Sequence, residues 1–333
     1  MRKTVRLLLS FSFLALLLGA AAAVYVALIP ISLPRDQVEF TLAPGSSLRS
    51  AAREIAASEI AVEPWVLIAL ARLMGVEASI KAGSYQIGRG TTPLELLRKL
   101  TRGDFTQAEL TFVEGWTFRQ MRQRVDGHPD LRHETRDLSD GEIMRLLGVP
   151  EQPAEGAFFP DTYLFAKRSS DIDLLARAAR AMQRHLQEQW QARADHLPLR
   201  DAHQALILAS IIEKETGRDQ DRAQVAAVFI NRLRLGMPLQ TDPTVIYGLG
   251  DDFDGDLRKR DLLADTPYNT YTRRGLPPTP IAMPGLASLQ AALHPAASDA
   301  LYFVARGDGS SHFSRTLADH NQAVRRYQKG GRP

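Results

Sequence analysis

Between Asp201 and Gly217 the chain reads Asp-Ala-His-Gln-Ala-Leu-Ile-Leu-Ala-Ser-Ile-Ile-Glu-Lys-Glu-Thr-Gly, and both its ends and its middle demand a helix. Asp201 can cap the free amides of a first turn. Gln204 stands three residues on, where a capping box takes Glu or Gln, and Gly217 stands where a left-handed C-terminal glycine belongs. At roughly 100° per residue, Ala205, Leu208, Ile211, Ile212 and Glu215 share one stripe, while Glu213 lies nearly half a turn from Glu215. The carboxylate of Glu215 therefore points where the apolar side chains point. A buried, unpartnered ion is so costly that the group raises its pKa and stays protonated near neutrality, the state a general acid needs. The same position also suits an ordinary last-turn glutamate, solvated or paired with an arginine. The helix alone does not separate the two.

The rest of the chain narrows the chemistry. Its 333 residues leave room for two or three domains with a substantial core, and 44% apolar with 24% charged residues is ordinary for a folded protein. The net charge of +3 is spread thinly, with no dense Lys/Arg stripe interleaved with aromatics, so nucleic acid is not indicated as a partner. Such a charge suits an acidic polymer or a membrane surface. With no cysteine, disulfides, thiol catalysis and cysteine metal sites are excluded.

Leu7 to Ile29 is almost wholly apolar and long enough to cross a ~30 Å hydrocarbon core as a helix. Arg2, Lys3 and Arg6 precede it and no positive cluster follows, which predicts a cytoplasmic N-terminus and everything after Pro30 outside. A cleaved signal peptide is the alternative, but the run exceeds the ~7 to 15 residues of a signal h-region. The expected lipid contact is thus a bilayer anchor through Leu7 to Ile29, with residues 1–35 forming stub, anchor and exit.

Further along, the pattern predicts an α+β chain. Val38 to Leu42 alternates as a strand, Pro44 to Ser47 turns it, helices follow at 48–57 and 64–74, and Gly83 to Ile87 returns as a strand before a helix ending near Leu100. The Pro-Gly-Ser-Ser turn ahead of a helix resembles the sugar-binding LysM module, so residues 36–105 read as a small LysM-like α/β module. Residues 106–333 read as a larger mixed α+β catalytic domain. Within it, Ala108 to Phe112 is a strand, Thr117 caps a helix, and Asp126 to Val149 carries little pattern. Glu155 to Tyr163 is an aromatic-rich loop, suited either to gripping sugars or, more commonly, to packing in a core. Helices are expected at 171–194 and 220–235, a polar loop at Met237 to Gly250, a stiff proline loop at 275–285, a helix at 286–294, paired strands at 300–305 and 311–314, and a closing helix with His320 and Asn321.

No His-Glu-x-x-His and no close histidine pair appears among the eight histidines, and neither a phosphate loop nor a dinucleotide-binding glycine pattern is present. Ser210 lacks a nucleophile-elbow context. No metal and no cofactor is expected, which leaves carboxylate chemistry on a polar, sugar-like substrate.

Several motifs then occur in order: Glu155-Gly156 with Phe159-Pro160-Asp161-Thr162-Tyr163, Ala209 to Thr216, Val228 to Leu233, Leu239 to Gly248, Tyr268-Asn269-Thr270-Tyr271, Gly275 to Pro278, His294-Pro295 and Leu301 to Val304. Together, over roughly Val38 to Tyr327, they resemble the endolytic murein transglycosylases of the YceG/MltG family. The resemblance implies an inner-membrane enzyme, its catalytic domain in the periplasm, that cuts peptidoglycan glycan strands internally between N-acetylmuramic acid and N-acetylglucosamine and leaves a 1,6-anhydro end. It implies that the catalytic carboxylate is the Glu of the Glu-Thr pair, Glu215, with Glu213 as the rival. With it, Gln240, Thr241, Asp242, Tyr268, Asn269 and Tyr271 are expected as substrate-binding residues, each of which could instead be structural, and cell-wall synthases as partners. A noncatalytic peptidoglycan-binding scaffold and a water-using muramidase remain the alternatives.

Overall fold

The computed structural model describes the backbone of residues 2–43 and 45–329, and side chains from residue 11 onward apart from those of 12, 15, 16, 20, 44 and 329. In chain order its elements are α1 (Arg2–Leu28), β1 (Gln37–Leu42), α2 (Leu48–Ala57), α3 (Pro64–Leu73), β2 (Gly83–Gly88), α4 (Pro93–Arg102), β3 (Gln107–Thr111), α5 (Phe118–Asp126), β4 (Leu131–Arg132), α6 (Asp140–Leu146), β5 (Thr162–Ala166), β6 (Ser169–Ser170) and α7 (Asp171–Gln191). They continue with α8 (Ala202–Glu215), α9 (Asp219–Arg234), α10 (Asp242–Leu249), α11 (Lys259–Leu263), α12 (Leu286–Leu293), β7 (Tyr302–Ala305), β8 (Ser311–Ser314) and α13 (Leu317–Val324). The class is mixed α+β. Among the described residues every sheet is two-stranded, pairing β1 with β2, β3 with β5, β4 with β6 and β7 with β8. The chain divides into two compact units, one of residues 1–109, 130–132 and 164–169, the other of residues 110–129, 133–163 and 170–333.

The first unit is built on the antiparallel pair β1–β2, in register Val38↔Ile87 and Phe40↔Tyr85. Alternation buries Val38, Phe40 and Leu42 and leaves Gln37, Glu39 and Thr41 outside. The inward residues pack with Ala51 and Ile55 of α2, Leu67 of α3 and Leu96 and Leu100 of α4. Strand, helix, helix, strand is thus the order. Of the expected turn at Pro44 to Ser47, Pro44 lies outside the described residues, while Ser47 caps α2 by accepting from Ser50 N–H.

Helix α1 ends by burying Ala27 among Val66, Leu70, Ala71 and Leu97. Phe11, Phe13, Leu14, Leu17 and Leu18, further back, are exposed. Among the described residues, no helix is long and apolar enough to cross a membrane; part of the expected Leu7 to Ile29 span, the side chains of 7–10, 12, 15, 16 and 20, lies outside the described residues.

In the second unit α8 is the central rod. Every residue from Ala205 to Ile212 is buried, so the single apolar stripe expected from the sequence is too narrow: α7, α9, α10 and α12 all pack against this helix or its neighbours. Asp201 caps it as expected, accepting from Gln204 N–H at 2.8 Å, although the Gln204 side chain reaches back to Arg200 N–H and not to Asp201. The C-terminus differs from expectation. Gly217 is not left-handed; the helix stops because Thr216 is extended, at φ −145° and ψ 127°, and its hydroxyl accepts from Arg218 N–H.

One other segment departs from the sequence reading. Met237 to Gly250 is not all loop: α10 occupies its second half, begun by Asp242 with Pro243 in its first turn, a position where the missing proline N–H costs nothing. The aromatic loop serves the core, with Phe158 and Phe159 buried and Phe158 stacked on Phe118. In the unassigned stretch 126–149, Ser139 and Glu142 form a capping box that starts α6.

Ser210 shows how tightly α8 is held. Fully buried, its hydroxyl donates to Ile207 C=O at 2.7 Å and accepts from Ile281 N–H at 3.0 Å, tying the proline loop to the rod. Ser210→Ala leaves the buried Ile281 amide unpartnered, and urea unfolding is expected to register a loss of about 1–3 kcal/mol; an unchanged midpoint would show that the tie is dispensable.

Candidate active site

The two glutamates at the end of α8 diverge. Glu213 accepts from Gly285 N–H at 2.9 Å, at the N-cap of α12. The adjoining space is full, since a Cβ on Gly285 would meet the Glu114 carboxylate well inside contact distance. Glu213 is thereby committed to holding α12.

Glu215 lies where α8 ends, and the Thr241 hydroxyl donates to its Oε1. Burial pushes its carboxyl up from the ordinary glutamate range, and the charge of Asp242 pushes the same way; the Thr241 bond and the charge of Arg232 offset part of this. Burial and Asp242 thus favour the protonated acid, while the Thr241 donor suits the anion. It can therefore give a proton and take one back.

What sets Thr241 in place is a cluster of buried threonines. Thr241 N–H donates to Thr270 Oγ1 at 3.1 Å, Thr244 Oγ1 donates to Thr241 C=O at 2.8 Å, and Thr244 and Thr270 share a hydroxyl bond of 2.9 Å. Just before it, Gln240 takes a left-handed φ of 52° and donates its N–H to Thr270 C=O. This is a strained place for a non-glycine residue, and it turns the chain sharply into α10.

Arg232 of α9 braces the same turn from below. Its guanidinium, buried, donates to Leu301 C=O at 2.7 Å and Leu239 C=O at 2.8 Å, and reaches Gln240 Oε1 at 3.4 Å, with the Tyr302 ring 5.1 Å from its carbon. Burial lowers its own pKa, against the opposing charge of Glu215.

The expected binding residues fall into two groups. Gln240, Thr241, Asp242 and Tyr271 gather at Glu215: the Tyr271 hydroxyl donates to Asp242 Oδ1, and the charges of Asp242 and Glu215 both act on Tyr271. Asn269 does not belong with them. It is fully buried, its amide donating to Asp261, Leu262 and Ala264 C=O and its oxygen accepting from Tyr271 N–H, so no atom remains for substrate and its work is to shape the loop. Tyr268 packs on the later half of α10, where its ring meets that of Tyr247 edge to face at 5.0 Å and its hydroxyl bonds Thr279. Sequence reasoning missed Arg232, Thr244 and Thr270, although all three lie inside the motifs it singled out; buried bracing residues carry no signal in a single sequence. Among the described residues no group of three or more His, Asp or Glu side chains could hold a metal ion.

The YceG-like family pattern matches residues 40–326. This chain belongs to that family. It is 33% identical to an endolytic murein transglycosylase of Bacillus subtilis over 75% of this chain and 74% of that protein. It is 27% identical to one of Streptococcus pneumoniae over 74% of this chain, a match that spans half of the pneumococcal protein's length. A crystal structure of a YceG-like protein from Listeria monocytogenes is similar at a TM-score of 0.55 and 29% identity, covering 86% of this chain and 98% of that one.

Because the Thr241 hydroxyl favours the ionised form of Glu215, Thr241→Val should move the titration of that carboxyl further upward. Carboxyl ¹³C shifts followed against pH measure this; an unchanged or lower midpoint would mean that the hydroxyl does not act on the acid.

Proposed function

We propose that this chain is an endolytic lytic transglycosylase of peptidoglycan, with Glu215 as its single general acid and base. The observation that carries the proposal is a half-buried carboxyl at the end of α8, pushed up by the burial of its surroundings and bonded by Thr241; the names of the family relatives support the substrate class. Protonated Glu215 gives its proton to the oxygen bridging N-acetylmuramic acid and N-acetylglucosamine. As carboxylate it then takes the proton of the muramyl 6-hydroxyl, which attacks its own anomeric carbon and closes the 1,6-anhydro ring. No water is consumed. A two-carboxylate hydrolase would hold a second free acid at about 5 to 9 Å, whereas the Asp242 carboxylate beside Glu215 is engaged by the Tyr271 hydroxyl.

We extend the proposal to location. Leu7 to Ile29 serves as a retained anchor in the inner membrane, with the catalytic residues in the periplasm; the continuous α1 helix and its exposed Phe11, Phe13, Leu14, Leu17 and Leu18 support this. The LysM-like reading of residues 36–105 stands with it as a glycan contact, motivated by their strand, helix, helix, strand order. Association with cell-wall synthases rests on the family resemblance.

Glu215→Gln should abolish cleavage of purified glycan strands, a loss of at least about a thousandfold if the acid supplies about 4 kcal/mol or more of the barrier reduction, while Glu213→Gln should cost far less. Mass spectrometry of the products decides the chemistry: anhydro ends support the transglycosylase, reducing ends the muramidase, and intact strands the scaffold. N-terminal sequencing of protein taken from membranes should find the chain starting ahead of Leu7; a start near Ala23 or Tyr25 would mean a cleaved signal.

A further inference from the structure

Along α10 lies a cleft of about 830 Å³, lined by Pro243, Ile246 and Tyr247 but not by Glu215, that the reaction above does not use. Its volume is that of a ligand site. Glu155 lines it, only partly covered, its two oxygens accepting from Phe118 N–H at 3.1 and 3.2 Å and one of them from the Tyr247 hydroxyl at 3.2 Å. The Gly156 amide also acts on it, so three donors meet a group with about four acceptor positions, which leaves room for one more. Beside it the edge-to-face pair Tyr247 and Tyr268 offers an aromatic surface, and the Thr279 hydroxyl stands at the far end. Besides these tyrosines, the charged or titratable groups that share a cavity with Glu155 are Arg119 of α5, Asp140 of α6 and Lys214 of α8 in this cleft, and Arg180 of α7 and His203 of α8 in a neighbouring one.

The cleft is joined to the Glu215 site by one short helix. Thr241, at the N-cap of α10, donates to Glu215, and Tyr247, six residues on, donates to Glu155. Six residues of helix rise about 9 Å, comparable with the length of a disaccharide. Pro243 and Ile246 of α10, and Lys214, the residue before Glu215, line the cleft. An aromatic surface complements the C–H face of a pyranose ring, and a carboxylate complements its hydroxyl and acetamido N–H donors. A carboxylate in the cleft also repels an anionic ligand.

Resting on the glycan-cleaving reading of the Glu215 site, we propose that this cleft is a second saccharide subsite, in which Glu155, Tyr247 and Tyr268 hold an N-acetylated amino-sugar ring of the strand that Glu215 engages. Burial pushes the Glu155 carboxyl up to about 7, against the bonds from Phe118 and Tyr247 that favour its ionised form. A sugar donor on Glu155 favours the ionised form too, so binding strengthens as the pH rises through that value.

The test uses the full chain in detergent carrying Glu215→Gln, with chitohexaose as probe and calorimetry at pH 5.5 and pH 8. The expected result is tighter binding at the higher pH. Adding Glu155→Gln should weaken binding at pH 8 about tenfold and flatten the pH dependence. Adding Tyr247→Phe, which keeps the ring and removes a bond that favours the ionised carboxyl, should move the midpoint of the pH dependence upward. Were Glu155→Gln not to fold, the Tyr247→Phe midpoint still decides. The subsite is overturned by an absence of chitohexaose binding, by wild-type affinity and pH profile in Glu155→Gln, by an unmoved midpoint in Tyr247→Phe, or by a stem-peptide amine competing at Glu155 where the sugar does not. Cleavage by the Glu215→Gln parent would refute the acid assignment separately, since it leaves these binding comparisons unchanged.

Discussion

Everything distinctive in this molecule follows from ending a buried helix on an acid. From Ala205 to Ile212 the α8 rod has no solvent face, and the chain leaves it at Glu215, a half-buried position one residue after the exposed Lys214. A carboxyl in such a place must be neutralised or compensated. Here it is both: burial and Asp242 favour the proton, while one hydroxyl and one distant guanidinium favour its loss. The first pair suits the acid that gives a proton, and the second suits the carboxylate that takes one back. A bidentate arginine directly on Glu215 would have fixed it as an anion, and an apolar shell without Thr241 would have fixed it as an acid.

The compensation is exact in placement because it is rigid in construction. Thr241 is not a surface hydroxyl that happens to be near; its amide, its carbonyl and the two threonines that bond them are buried, and the strained Gln240 ahead of it is held by Thr270 and Arg232. Buried networks whose members are all satisfied specify one arrangement. Arg232 contributes twice, by donating to the carbonyls of Leu239 and Leu301 and by setting a positive charge facing Glu215. Removing it would loosen the turn and shift the acid together, so its two contributions are inseparable by a single substitution.

The sequence made Glu215 legible for a reason that the structure only partly shares. The helical wheel placed Glu215 with Leu208 and Ile211 and set Glu213 apart, and the two side chains do part company, Glu213 going to Gly285 N–H and Glu215 to Thr241. Yet the wheel assumed one apolar stripe where the helix is buried all round. Direction was recoverable from periodicity; degree of burial was not, since it depends on four other helices. The strands and helices of the small module were legible because the alternation of β1 and the helical spacing of α2 and α4 are local signals. By contrast α10 was hidden by Pro243 and by the polar run around it, although Pro in a first turn is itself a starting signal. Asn269 looked like a ligand for sugar because a polar residue between tyrosines reads the same whether its amide faces substrate or three backbone carbonyls.

The position of α10 ties these observations together. One short helix carries at its start the hydroxyl that tunes Glu215, next to it the Asp242 carboxylate that Tyr271 engages, and one and a half turns on the tyrosine that bonds Glu155. A shift of this helix along its axis would change both carboxylates at once, one through Thr241 and the other through Tyr247. Its start is fixed by the threonine cluster, and its far half is packed against Tyr268, whose Cβ would lie 2.9 Å from any side chain at Gly248. Glycine at that position lets the Tyr268 loop close on the helix, and the same loop supplies Thr270 to the cluster at the start. The two ends of α10 are therefore clamped by one segment, Tyr268 to Tyr271, which makes the spacing between the two acids a property of that loop and not of either acid alone.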